Sequence, residues 1–153
     1  MGKNKKSNKI SDHFSIRDFY CRCGKCDHAY KISLGLVGGL EFLRYKLKNR
    51  VYIVKGYVCT EAAEQLRESK RTFHTFGIAA EITVENKSAK DVFLAAETVP
   101  EFRGVGLNLK DNTVHVDTRK EKEQEYWIID GERRIELNEE TRKKYFEYLS
   151  ADS

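Results

Sequence analysis

Two of the four histidines stand beside acidic residues, in segments whose alternation turns polar side chains to one side. The first run is Thr72-Phe73-His74-Thr75-Phe76-Gly77-Ile78-Ala79-Ala80-Glu81, and the second is Val114-His115-Val116-Asp117-Thr118-Arg119. Two imidazoles and a carboxylate form a common catalytic zinc set, in which an open fourth position holds a water that the metal makes acidic. A second cluster, Cys21-x-Cys23-x-x-Cys26 with Cys59 further along, offers four thiols. Four thiolates complete a tetrahedral shell and would make a closed structural metal site, while disulfides and buried reduced thiols are the other states this spacing allows. His28 is a spare ligand candidate, and His13 is expected to pack beside Phe14.

Both clusters need elements to position them. Ile78, Ala80, Ile82 and Val84 share one face of a strand, which leaves Ala79, Glu81 and Thr83 on the other. In a strand over 113–118, Val114 and Val116 face the core, so Thr113, His115 and Asp117 project from the opposite side, with His115 and Asp117 about 7 Å apart along it. That strand pairs with 104–109 through a Lys110-Asp111-Asn112 turn. Further strands are expected at 51–54 and on either side of Asp130-Gly131, the latter two as a hairpin. Leucines 36, 40, 43 and 47 mark a helix over 33–49 against the cost of its glycines. Helices are also expected at 61–69 after Thr60, at 88–99 before Pro100, and at 138–149 behind Asn138. A single helical turn capped by Ser15 leads into the cysteines. The result is an α+β class: a small antiparallel sheet with flanking helices.

The chain of 153 residues has the length of one domain. Residues 1–10 read as a flexible basic tail, with only Ile10 as an apolar anchor, and 11–153 as a single domain. Much of the net charge of +4 lies in Lys3, Lys5, Lys6 and Lys9. The body is near neutral with alternating acids and bases, which argues against nucleic acid as a partner. No run approaches the ~20 apolar residues of a membrane span, and no apolar stretch follows the basic N-terminus. No export signal is thus expected, so the chain is expected to stay cytoplasmic until released, as by lysis, or to be a form lacking its signal.

At the level of motifs the chain resembles the M15 zinc peptidases, the D-alanyl-D-alanine carboxypeptidase and hedgehog type. The first run is similar to the family's Ser-x-His-x-x-Gly-x-Ala-x-Asp, and the second to its His-Val-Asp-x-Arg segment. The order of the histidines, their separation of about 40 residues, and the opening phrase from Ile10 to Gly24 also fit. The resemblance implies zinc bound by His74, Glu81 and His115, a hedgehog and DD-peptidase-like fold, and hydrolysis of D-amino-acid-containing peptidoglycan stem peptides, by a carboxypeptidase or an endopeptidase. Asp117 is the first choice for the general base and Asp111 the second. The other role open to Asp117 is to orient His115 or to pair with Arg119. Two positions depart from the family pattern. Glu81 replaces an Asp, moving the carboxylate by on the order of 1.5 Å. Val58, in Gly56-Tyr57-Val58-Cys59, stands where an Arg normally grips substrate. These departures define the alternative expectation, a catalytically degenerate domain that keeps the fold and the metal and serves as a binding or signalling module.

Overall fold

The computed structural model describes residues 8–65, 72–120 and 123–151. Six strands form one mixed sheet: β1 Val51–Lys55, β2 Ala79–Val84, β3 Gly104–Asn108, β4 Thr113–Asp117, β5 Glu125–Asp130 and β6 Arg133–Glu136. Their order across the sheet is β1-β2-β4-β3-β5-β6. Four helices flank it: α1 Leu34–Leu47, α2 Thr60–Gln65, α3 Ala89–Ala96 and α4 Glu139–Ala151. The architecture is α+β and the sheet is mostly antiparallel, as the alternation and the hairpin turns predict.

One pairing departs from an all-antiparallel sheet: β3 and β5 run parallel. β4 ends beside Gly104, and β5 begins beside the same residue. The link between them therefore only steps past the start of β3, so no long crossover is required.

The two faces divide the work. Ile53, Ala80, Ile82, Val105, Leu107, Val114, Val116 and Ile128 meet Leu36, Leu40 and Leu43 of α1 and Val92, Phe93 and Ala96 of α3 in the main core. Every second residue on the other face stays uncovered by these helices, and there the register lays one row across the sheet. Lys55 pairs with Glu81, Glu81 with His115, His115 with Gly106, Gly106 with Trp127, and Trp127 with Glu136. Two neighbouring members of that row, Glu81 and His115, are candidate ligands.

Helix starts follow their caps. The Ser33 hydroxyl accepts from the Gly35 and Leu36 N–H groups, and the Ser88 hydroxyl from Asp91 N–H. A 3₁₀ turn, Ile16–Phe19, begins at Ser15, whose N–H donates to the Asp18 carboxylate at 2.8 Å. α2 is described only to Gln65, and its expected course to Ser69 lies outside the described residues. Of the basic tail expected over 1–10, residues 1–7 also lie outside them. Lys9, however, bridges to Ser15, and Ile16 N–H donates to the Asn8 carbonyl at 2.7 Å, so its last residues are tied to the fold.

Candidate metal centre

His74 precedes β2 in a run of turns: Gly77 N–H donates to the His74 carbonyl and Ile78 N–H to that of Phe73, each at 3.1 Å. Gly77 takes φ +74° where a Cβ would enter the Lys31 backbone, which explains the glycine three residues after the histidine. The ring is 4% exposed, and its Nδ1 lies 2.9 Å from the Gly56 carbonyl oxygen. A carbonyl only accepts, so Nδ1 carries the proton and Nε2 keeps its lone pair. That nitrogen is 4.0 Å from Glu81 Oε1. Burial, reinforced by His115, drops the His74 pKa from its ordinary 6.5 to about 3.

On β4 the tautomer is fixed the other way. His115 Nε2 is 2.7 Å from Asp117 Oδ2. Burial alone would raise the Asp117 pKa, but hydrogen bonds from Arg119 and His115 hold it well below the usual carboxylate range. The carboxylate is thus an acceptor, His115 Nε2 donates, and Nδ1 is left free. The two imidazoles stand edge to face, centroids 5.3 Å apart. One ligand atom each from His74, Glu81 and His115 lies within 4.8 Å of the others. The two imidazoles and the Glu81 carboxylate thus bring three acceptors into one small space. A divalent cation that takes nitrogen and oxygen ligands fits this donor set, zinc above all.

Asp117, the first choice for the general base, sits among hydrogen-bond donors. It is fully buried; Oδ1 accepts from the Arg119 N–H at 3.1 Å and Nε at 2.8 Å, and Oδ2 from Arg119 Nη2 at 2.7 Å as well as from His115. Both oxygens are engaged on the side of the His115 ring away from its free nitrogen. These are the contacts, to His115 and to Arg119, that the alternative role of Asp117 calls for. Asp111 sits at the hairpin turn, exposed, with Oδ2 3.3 Å from Asn108 Nδ2. Asn108 in turn lines a cleft of about 200 Å³ with Glu81, Gly106, His115 and Trp127.

Two glycines of β3 make this arrangement possible. A Cβ at Gly104 would strike the Asp117 carboxylate and the Arg119 guanidinium, and one at Gly106 would overlap the Trp127 indole. Trp127, packed 5.3 Å from the His115 ring, is covered by Arg134 at 4.1 Å, while Arg119 also stacks on Phe73 at 4.4 Å. Sequence reasoning assigned no role to Gly104, Gly106 or Trp127. The alternate glycines of β3 were the available signal, since side-chain-free positions two apart on one strand face mark space taken by neighbours.

The cysteines assemble on the other side of Glu81. Cys21, Cys23, Cys26 and Cys59 bring their sulfurs within 4.8 Å of one another, and none is in a disulfide. The Lys25 N–H, with help from the Cys26 thiol, lowers the Cys23 pKa to about 7. The Ala29 N–H works to lower that of Cys26, yet burial and the neighbouring sulfurs push it up to about 12. Val58 is 5% exposed and packs with Cys21, Ala62 and Ala63. It also lines a cleft of about 420 Å³ shared by Arg22, Lys55, Tyr57 and Glu81. Neither of the other histidines joins a cluster: His13 Nδ1 is 2.6 Å from Glu41 Oε1, and His28 stacks against Tyr20.

A family model described as Peptidase M15 matches residues 12–117, well over half of the chain and including every residue of both clusters. No curated protein matches the chain.

Proposed function

The chain belongs to the peptidase M15 family, and from that membership we propose that it is a zinc-dependent peptidase cutting D-amino-acid-containing peptides of the cell-wall stem type. The observation that carries the metal reading is that His74, Glu81 and His115 each offer a ligand atom within 4.8 Å of the others, while Gly56 and Asp117 each engage one nitrogen of the two imidazoles. Zinc bound there supplies a Lewis acid for the scissile carbonyl and an acidified water. His74 and His115 hold it as neutral ligands, Glu81 as the charged one. Asp117 and Arg119 keep the His115 ring turned, a support on which metal sites commonly depend. Asp111, at the rim of the cleft that Glu81 and His115 line, takes the proton of the attacking water and returns it to the leaving amine.

Glu81 lines both clefts, one toward the cysteines and one toward Trp127. A peptide laid through them has chain on each side of the scissile bond, and no arginine at position 58 awaits a terminal carboxylate. Both points favour an endopeptidase. The buried Val58 also supports a second reading, a domain that binds stem peptides without cutting them.

The test is mass-spectrometric detection of cleavage of a D-residue-containing stem peptide by zinc-loaded protein. Turnover is expected for the wild type and is expected to be lost in Asp111→Asn with zinc still bound. Peptide binding without cleavage by the wild type would favour the binding module. Full turnover in Asp111→Asn would remove Asp111 from the mechanism.

A further inference from the structure

From Tyr20 to Ser33 the chain forms no helix or strand, yet it runs through positive φ at Gly24, Asp27 and His28 and holds one shape. Its apolar support is small: Cys21 packs with Val58, Ala62 and Ala63, with the other three cysteines around them. A segment of this kind needs a staple. We infer that Cys21, Cys23, Cys26 and Cys59 form a second, closed zinc site that pins this loop to the segment between β1 and α2.

Three observations support it. Zinc–sulfur bonds of about 2.3 Å in a tetrahedron place sulfurs about 3.8 Å apart; the Cys23 and Cys59 sulfurs are 3.8 Å apart, and all four sulfurs lie within 4.8 Å of one another. That spacing is far beyond the ~2.05 Å of a disulfide. Backbone N–H groups already point at the sulfurs: Lys25 to Cys23 at 3.4 Å, Cys59 to Cys21 at 3.3 Å and Ala62 to Cys59 at 3.4 Å. Such donors spread the charge of thiolates gathered on one cation. Finally, four thiolates leave no open position on the metal, which makes a structural site, not a catalytic one.

The pinned segment matters to the first metal centre. Gly56, whose carbonyl holds the His74 tautomer, lies three residues before Cys59, and Cys21, Cys23, Tyr57 and Val58 wall the larger cleft. The thiolate zinc thereby fixes both a support of the first site and one side of the cleft. This inference concerns the cysteines alone and stands whether or not the chain cleaves peptides.

The test counts zinc in the purified, reduced full chain. Two per chain are expected in the wild type, one in Cys23→Ser, one in His115→Ala, and none in the double variant. Should Cys23→Ser fail to fold, His115→Ala keeps the proposal exposed. Loaded with cobalt, that variant should show strong thiolate-to-metal charge-transfer absorption, and its thiols should resist a thiol reagent until a chelator is added. Freely titrating thiols in metal-supplied His115→Ala, iron in place of zinc, or a reduced chain that binds no metal at these sulfurs would overturn the assignment. If the wild type holds only the thiolate zinc, the first site falls and this one remains.

Discussion

Asp117 shows how a single residue can be legible in place while its contacts are not. Strand alternation put it on the face of His115, and the distance along that face invited an acid–base reading. What alternation does not contain is the return of Arg119, whose backbone and guanidinium close on both carboxylate oxygens from two residues away. Asp117→Asn replaces a charged acceptor with an amide and leaves the buried Arg119 with Glu125 as its remaining carboxylate partner. It is expected to weaken zinc binding about 10- to 100-fold in chelator competition and to cost about 3 kcal/mol in urea denaturation. The metal-free protein should also be acid-sensitive in a defined direction. The folded pKa of His74 lies below its unfolded value, so the unfolded chain binds the proton first. That contribution is complete above about pH 6.5 and drains away as pH falls toward 3; Asp117 adds a loss at still lower pH. Urea midpoints measured on metal-free protein should fall through this window, and His74→Asn should flatten the slope.

At the scale of elements, helices and strands were legible wherever apolar spacing is periodic, as in α1, α3, β2 and β4, and Ser15, Ser33 and Ser88 marked their own starts. Which strand edges would meet was not. Hairpin turns specify β3 with β4 and β5 with β6, but at the parallel seam between β3 and β5 it is Gly106 that leaves room for Trp127, a neighbour distant in sequence. Gly106→Ala should therefore destabilise by about 1–3 kcal/mol through its collision with Trp127, read as a lower urea midpoint. α1 offers a paired comparison. A Cβ at Gly38 meets nothing, so Gly38→Ala should raise stability by up to about 1 kcal/mol. At Gly39 a Cβ runs into the Phe102 ring, and the same substitution should lower stability.

For the whole molecule, the two clusters and the clefts between them behave as one assembly centred on Glu81. Val58→Arg illustrates the point. An arginine there would suit an M15-like substrate grip, but the side chain at 58 is packed against Cys21, Ala62 and Ala63, and a longer, charged one would have to displace them. The substitution is expected to lower the melting temperature and to loosen thiol protection, with no gain in peptide cleavage. The row of residues that crosses the sheet from Lys55 to Glu136 carries a further consequence, one about fidelity. Glu81 and His115 face each other only when β2 and β4 are aligned as they are. A slip of one residue in either strand would carry its ligand through the sheet to the helix-covered face. Zinc bound there, as proposed, would be held only by the correctly aligned chain, and through mass action it would reward that alignment over every neighbouring one. A centre proposed to ready a carbonyl for attack would also proofread the strand pairing that built it.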